Sequence, residues 1–368
     1  MAERIKVGII GVQPDRSWGA IAHIPALRAL DDYEITALST TRQESADAAA
    51  ARYGVPLAFD NHQALVTLPE VDLVAVTVKV PHHLELVVAA LEAGKHVYCE
   101  WPLGNGLDEA NQMAQLAHSR QLHGAIGLQA RAAPTIRYMA DLIAQGFVGD
   151  VLSTSLIGTG MNWGAYVDQP NAYTADKRAG VTMLTIPVGH TMDAVCHLLG
   201  EVETIDALMA NRRTSTILGE TGESLPLTSE DQVAFAATLE GGVVASGHWR
   251  GGLSKGTGFL WEICGTLGDL RLTAMGGHPQ IFDLTLEGAG QDDAEMKTLA
   301  VPDTYFATTI RNGPALNVAE AYARLAHDLK NGTRTCATFD DAVVRHRMIE
   351  AIEVAARTGQ RTRPDSFA

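Results

Sequence analysis

The first third of the chain alternates short apolar runs with longer amphipathic segments, and this alternation limits the fold more than any other feature. Residues 5–10, Ile-Lys-Val-Gly-Ile-Ile, are typical of a buried strand, and residues 19–30 carry an apolar stripe at helical spacing. Such alternation predicts a doubly wound parallel sheet with crossover helices, which binds ligands beyond the carboxyl ends of its strands. The predicted strands are 5–10, 34–39, 57–59, 73–78, 96–99 and 125–128, and the predicted helices are 19–30, 43–53, 83–93 and 107–120.

The pattern changes near residue 150, where strand-like segments begin to follow one another with glycine turns between them. This change predicts a second, α+β domain with a mostly antiparallel sheet, and we expect domains at 1–130 and 131–368. Helix 340–357 is a candidate to pack back on the first domain, and the Gly- and acid-rich segment 286–297 is expected to be an exposed loop. The predicted strands here are 151–158, 202–211, 232–239, 243–250, 259–264 and 269–273, and the predicted helices are 134–145, 181–199, 315–330 and 340–357.

Composition excludes several classes of function. The 368 residues suit two domains, and 28 basic against 43 acidic residues give a formal charge of −15, which disfavours nucleic-acid binding. No apolar run is long enough for a membrane helix, and the N-terminus shows no signal peptide. The four cysteines lie far apart without a CxxC pair, so we expect neither disulfides nor a zinc site, and a cytoplasmic location.

A glycine loop at the end of the first strand indicates a phosphate-binding site. Gly11 ends that strand, Val12 and Gln13 follow, and an enlarged loop through Trp18 leads to Gly19 and the first helix. Small residues allow a pyrophosphate close to the backbone, and the helix start offers free N–H groups. The spacing departs from the usual G-x-G-x-x-G, so the alternative remains that Gly11 serves only strand–helix packing.

The end of the second strand bears on the choice between NAD(H) and NADP(H). An acidic residue usually holds the ribose hydroxyls of NAD at this place, whereas Ser39, Thr40 and Arg42 stand here. Hydroxyls and a guanidinium suit a 2′-phosphate, so NADP(H) is the preferred cofactor and NAD(H) a possible one. The alternative is an ordinary solvated turn.

The ordered motifs of the whole chain resemble the Gfo/Idh/MocA family of oxidoreductases. Leu-Glu-Ala-Gly-Lys-His-Val at 91–97 and Cys-Glu-Trp-Pro-Leu at 99–103 carry the resemblance, with 129–134, 189–193 and 265–270 after them. It implies a Rossmann domain, a second domain with an open sheet, a nicotinamide cofactor and sugar- or polyol-like substrates. One branch, the fungal galactose-pathway repressors, is similar also in its enlarged glycine loop and its His23-x-Pro25 pair.

The resemblance implies further cofactor-binding residues and a partly altered catalytic set. It places Val78, Lys79, His83, Glu100 and Trp101 along the cofactor. The family's catalytic Lys and Asp positions hold Trp101 and Ile186, and only the acid/base His190 matches. Trp101 is either a cofactor-stacking residue or a core tryptophan.

Several residues could complete the altered site. Asp193, one helical turn after His190, could touch the imidazole ring, and Lys177 could replace the missing cation, as could Lys79 or Arg131. Trp163 and Tyr173 suit a carbohydrate pocket, and Gln129 and Arg131 are further substrate-binding candidates. Each could equally be an ordinary core or surface residue. The neighbours His82 and His83 lack partners at ligand spacing, so no metal is expected.

Two functions follow as hypotheses. The first is an NADP-preferring oxidoreductase that transfers a hydride between the nicotinamide and a sugar or polyol, with His190 as proton shuttle. The alternative is a non-catalytic regulator that binds a dinucleotide or sugar and recognises a protein partner. A third interpretation, beside these two, is a dehydrogenase relic that has lost its turnover. The resemblance also implies a homodimer or a dimer of dimers, with the alternating apolar residues Val233, Phe235 and Ala237 on one face of the second sheet.

Overall fold

The structure, a computed structural model, describes residues 4–367 and divides them into two compact units. Unit 1 contains the chain up to Ala132 and Phe306–Val343, and unit 2 contains Ala133–Tyr305 and the chain from Val344. Met1–Glu3, on which the expectation about a signal peptide falls, lie outside the described residues. The helices are α1 (Ile24–Arg28), α2 (Gln43–Tyr53), α3 (His62–Val66), α4 (His83–Glu92), α5 (Leu107–Ser119), α6 (Pro134–Ala144), α7 (Gly189–Leu199), α8 (Pro314–Asn331) and α9 (Phe339–Thr358).

The sheet of unit 1 has the strand order β3-β2-β1-β4-β5-β6, and all of its neighbouring strands are parallel. This order is that of a doubly wound dinucleotide-binding fold, which confirms the predicted fold class. The central strands are buried on both faces because helices cover each side, which explains their continuous apolar runs. The strands are β1 (Ile5–Ile10), β2 (Tyr33–Ser39), β3 (Leu57–Phe59), β4 (Leu73–Val76), β5 (His96–Glu100) and β6 (Gly124–Gly127).

Helix α8 returns to the first unit from late in the chain. Its residues Val318, Tyr322 and Leu325 are fully buried in the same core as Val7 and Leu27. The expected domain 131–368 therefore does not match the contacts, since 306–343 belong to unit 1. Within helix 340–357, only the residues up to Val343 belong to that unit.

Unit 2 is built on an eight-stranded mixed sheet in the order β17-β16-β15-β14-β7-β13-β12-β9. Only the pair β7–β13 is parallel, so the prediction of a mostly antiparallel sheet is confirmed. The strands are β7 (Val151–Thr159), β8 (Tyr166–Val167), β9 (Val202–Ala210), β10 (Ser215–Leu218), β11 (Ser224–Pro226), β12 (Gln232–Leu239), β13 (Val244–Arg250), β14 (Phe259–Gly265), β15 (Gly268–Ala274), β16 (Thr285–Gly290) and β17 (Lys297–Thr298).

Two expectations about this sheet are wrong. Segment 286–297 is not simply a loop, because strand β16 pairs along its whole length with β15. Val233, Phe235 and Ala237 do not lie on an open face, because all three are buried within the chain. The opposite face is the exposed one, and Leu208 and Val244 on it are 63% and 60% exposed.

Two helices begin with a π-helical turn that contains or precedes a proline. The predicted helix 19–30 is a π turn over Gly19–His23 followed by α1, which has Pro25 in its first turn. The predicted helix 181–199 has a π turn over Leu184–Val188, with Pro187 inside it, followed by α7. Proline lacks the N–H of an α-helical hydrogen bond and crowds the preceding turn, which favours a wider turn at both places.

Two further observations concern the cysteines and the hydropathy of the helices. All four cysteines are free thiols. In the part of the chain that the structure describes, no helix is long and apolar enough to cross a membrane.

Candidate functional site

Unit 1 has a cleft of about 550 Å³ at the carboxyl edge of its sheet. It gathers seven of the predicted cofactor-binding residues: Gly11, Val12, Gln13, Ser39, Thr40, Arg42 and Val78. Because parallel strands end at a common edge, residues that follow β1, β2 and β4 meet there. The other lining residues were not predicted from the sequence; they are Ile10, Thr41, Ser45, Asp60, Asn61, His62, His82, Glu85 and Leu86.

The glycine loop is packed tightly against the end of β4. Gly11 has a φ of +104°, and a Cβ there would lie 2.6 Å from Val78 Cγ1. A Cβ on Gly19 would lie 2.7 Å from Thr77 Oγ1. Both glycines therefore allow close packing, and Gly11 also lines the cleft. The geometry of Gly11 thus fits a phosphate-binding role as well as a role in strand–helix packing.

The enlarged loop between these glycines is tied to its surroundings. The Ser17 hydroxyl accepts a hydrogen bond from the Gln13 N–H at 2.8 Å and another from the Ala20 N–H at 3.3 Å. At the loop tip, the Asp15 N–H donates to the Tyr53 hydroxyl, and the Arg52 guanidinium contacts the Asp15 carboxylate. These bonds hold the loop against α2.

The end of β2 presents hydroxyl groups and one cation. Thr40 and Ser45 each donate a hydrogen bond to the Arg42 carbonyl, at 2.9 Å and 2.8 Å. The Arg42 side chain is exposed at the rim of the cleft. The acidic lining residues are Asp60 after β3 and Glu85 on α4, and no acid stands at the end of β2 itself.

Five predicted cofactor-binding residues do not line this cleft: Trp18, Lys79, His83, Glu100 and Trp101. Lys79 is exposed and Trp101 is buried. The buried His83 ring lies between two carbonyl oxygens, with Nε2 3.0 Å from Val78 O and Nδ1 2.9 Å from Pro102 O. His83 thus joins the segment after β4 to the segment after β5, and burial lowers the pKa of its ring.

Glu100, at the end of β5, belongs to a polar network of unit 1. Its Oε1 lies 2.8 Å from His23 Nε2, and the Gln129 amide donates to both carboxylate oxygens at 2.8 Å and 2.9 Å. His23 Nδ1 lies 2.8 Å from the Tyr322 hydroxyl on α8. Gln129, expected at the substrate, is therefore buried and engaged with Glu100.

His190 lies in the first turn of α7 in unit 2 and is buried. Burial, together with nearby His278, lowers the pKa of His190 to about 3, so its ring is neutral at physiological pH. Its Nδ1 is buried and, among the described residues, has no hydrogen-bond partner. The ring of His278 donates from Nε2 to Gly160 O at 2.9 Å, and burial lowers its pKa to about 4.

Asp193 takes part in a buried ion pair. Its Oδ1 lies 3.7 Å from Arg345 Nε, and both side chains are inaccessible to solvent. Arg345 also contacts the Glu201 carboxylate. Asp193 makes no hydrogen bond to His190 Nδ1, which has no partner among the described residues, and the expectation that Asp193 orients His190 stays a prediction.

The other predicted residues of the second unit are packed or paired. Lys177 is 59% exposed, with its Nζ 3.8 Å from Glu230 Oε1 in a surface ion pair. The buried Trp163 donates from Nε1 to Thr174 O at 3.1 Å and has a φ of +59°, a strained value for this residue. Tyr173 is half-buried, and burial raises its pKa.

Arg131, predicted as a replacement cation, is instead paired within unit 1. Its Nη1 lies 3.0 Å from Asp341 Oδ1, at the start of α9. Although burial disfavours the charge on Asp341, Arg131 and Thr338 hold the pKa of that carboxyl below its usual range. The geometry therefore places Arg131 in the packing of unit 1.

Comparison with known proteins assigns the family. Residues 5–127 match the oxidoreductase family with an NAD-binding Rossmann fold, Gfo/Idh/MocA, and residues 134–274 match the C-terminal domain of Gal80p. A dehydrogenase of Aspergillus oryzae, aclE, is 33% identical over 98% of this chain and 99% of its own. The chain belongs to the Gfo/Idh/MocA family.

Within the family the chain is similar to both dehydrogenases and regulators. The galactose/lactose metabolism regulatory protein GAL80 of Saccharomyces cerevisiae is 30% identical over 78% of this chain and 71% of its own. A crystal structure of a super-repressor mutant of that protein has a TM-score of 0.89 at 26% identity, covering 98% of each chain. The predicted resemblance to the branch of the galactose-pathway repressors is confirmed.

Proposed function

We propose that the protein is an oxidoreductase that transfers a hydride between NADP(H) and a sugar or polyol. The observation that carries this proposal is His190, a buried, neutral imidazole whose Nδ1 has no hydrogen-bond partner in the described part of the chain. A neutral imidazole can accept the proton of a substrate hydroxyl as its carbon loses a hydride. The end-to-end similarity to a dehydrogenase supports the same assignment.

The cleft of unit 1 fits a dinucleotide. Gly11 allows close approach to its backbone, Ser39 and Arg42 offer a hydroxyl donor and a guanidinium to a 2′-phosphate, and Thr40 lines the cleft beside them. When bound, the cofactor supplies the nicotinamide that accepts or donates the hydride. Asp60 and Glu85, also on the lining, are acceptors for ribose hydroxyls, so NAD(H) is a weaker second ligand.

A second candidate is a dinucleotide-binding regulator that recognises another protein. Trp101 and Ile186 stand at the positions of the family's catalytic Lys and Asp, and Trp101 is buried. Lys177, the proposed replacement, is a surface residue paired with Glu230. The similarity of the second domain to that of Gal80p favours this alternative.

Absorbance at 340 nm separates the two functions. The native chain would be incubated with NADP⁺ or NADPH and a panel of aldoses, inositols and sugar lactones, with NAD(H) in parallel. We expect turnover with at least one member and tighter binding of NADPH than of NADH by calorimetry. Tight cofactor binding without turnover on any member would favour the regulator and refute the enzyme.

We also propose that the exposed face of the second sheet forms a homodimer or a dimer of dimers. Leu208 and Val244 are large apolar residues on this face, and β9, β12 and β13 form a continuous surface around them. Light scattering at micromolar concentration is expected to give at least twice the chain mass. A monomer there would contradict the proposal.

A further inference from the structure

The Glu100 carboxylate is hydrogen-bonded to a buried polar network, whereas its own side chain is 13% exposed. His23, Gln129 and Tyr322 are almost completely buried. Buried polar groups are costly unless every one is paired, and an apolar core at the end of β5 would need no such network. The arrangement indicates that the orientation of this carboxylate matters.

The direction of each hydrogen bond follows from the chemistry of the groups. A carboxylate only accepts, so His23 Nε2 carries the proton that it shares with Glu100 at 2.8 Å. In this tautomer Nδ1 accepts from the Tyr322 hydroxyl, whose proton is retained because burial raises its pKa. Tyr322 is itself fixed, since its ring stacks on Tyr98 and its carbonyl accepts from the Tyr33 hydroxyl.

The position of Glu100 in the sheet indicates which part of a dinucleotide it faces. A dinucleotide spans the two halves of such a sheet, and Ser39 and Arg42 after β2 mark the adenosine half. Strand β5 lies in the other half, beyond β4. The nicotinamide riboside carries hydroxyl and amide donors, and Glu100 Oε2 accepts only from Gln129 among the hydrogen bonds described above.

We infer that His23 and Tyr322 are positioning residues that orient Glu100 as an acceptor for a donor of the nicotinamide riboside half. The inference rests on the proposed dinucleotide binding and assigns to His23 a task separate from packing. The inference predicts a selective effect on binding. Changes to the network should weaken binding of the nicotinamide riboside half and leave binding of the adenosine half unaffected.

A matched pair of variants and a pair of nucleotides test this inference. The amide of His23→Gln reaches the place of Nε2 and keeps the bond to Glu100, whereas that of the equally polar His23→Asn does not. We expect His23→Asn and Glu100→Gln to weaken NADPH binding by about tenfold, and His23→Gln by less than about threefold. Adenosine 2′,5′-bisphosphate, which lacks the nicotinamide riboside, should bind all variants equally well in calorimetry.

Tyr322→Phe keeps the stacked ring and removes only the bond to His23, so it tests the relay without a change in volume. We expect it to weaken NADPH by about threefold, again without effect on the bisphosphate. Equal losses for both nucleotides, or equal losses in His23→Gln and His23→Asn, would overturn the inference. A native chain that binds neither nucleotide would instead refute the proposed function, and the inference with it.

Discussion

The two units each contain a buried histidine near a π-helical turn, and the two rings have opposite surroundings. In unit 1, His23 uses both ring nitrogens, one with Glu100 and one with Tyr322. In unit 2, His190 has a buried Nδ1 without a partner among the described residues. The neighbouring carboxylates differ as well, because Glu100 contacts its histidine whereas Asp193 contacts Arg345.

This contrast separates a supporting histidine from a reactive one. A buried polar atom without a partner costs about 1–3 kcal/mol, and use by a ligand or a reaction is one explanation for its presence. A ring with both nitrogens bonded is held in one orientation and cannot take up a substrate without losing a bond. We therefore expect the two histidines to respond differently to every test below.

The largest expected effect is on turnover. Replacing His190 by alanine removes the proposed proton acceptor and should lower kcat by about 10²–10⁴-fold, which the 340 nm assay measures. His197→Ala, an exposed position on the same helix, is the matched control and should leave kcat nearly unchanged. Unchanged turnover in His190→Ala would show that His190 is no more reactive than His23, and it would refute the proton-shuttle role.

The next effect is on stability rather than chemistry. Asp193→Ala removes a carboxylate that contacts the buried Arg345 guanidinium and keeps Glu201, so we expect the free energy of unfolding to fall by about 3 kcal/mol. Urea denaturation measures the change, and Asp206→Ala, which breaks the exposed pair with Arg361, should cost less than about 1 kcal/mol. A large loss of kcat at native stability would show instead that Asp193 serves His190.

A smaller effect concerns the nucleotide cleft of unit 1. Arg42→Ala should weaken NADPH binding by about tenfold and leave NADH almost unaffected, because only NADPH carries the phosphate that we propose the guanidinium contacts. Arg120→Ala removes an exposed arginine of the same unit that does not line the cleft, and it should alter neither affinity. Equal or tighter NADH binding by the native protein would contradict the cofactor preference.

The smallest effect is the pH dependence of stability near neutrality. Burial lowers the pKa of His190 to about 3 and that of His278 to about 4, from 6.5 in the unfolded chain. The unfolded state therefore binds more protons as the pH falls below 6.5, and stability declines. Each ring should cost less than about 1 kcal/mol between pH 7 and pH 6, and His190→Gln should reduce the slope measured by urea denaturation.

Periodicity predicted the sheet of unit 1 well because its strands are short, apolar and separated by clear helices. Segment 286–297 was harder, because glycines and acidic residues are typical of loops even where β16 pairs with β15 and β17 near one end of the sheet. Val233, Phe235 and Ala237 alternate as expected, but alternation cannot tell which face of a sheet is covered.

The site was predictable where residues directly follow a strand. Gly11, Ser39 and Val78 meet because parallel strands share an edge, and the same rule applied to β3 would have found Asp60. Side-chain partners far apart in sequence were not predictable. The contacts of His23 with Tyr322 and of Asp193 with Arg345 span 299 and 152 positions of the chain, so no local pattern reveals them.

The late return of α8 has a consequence for how the protein is made. A ribosome that has released residues 4–132 has exposed all six strands of the first sheet, yet Tyr98 and His23 still lack Tyr322. The first core can close only after the whole second sheet has been synthesised. A fragment cut after Ala132 would therefore expose an apolar surface, and the nascent chain must keep that surface from aggregating until α8 emerges.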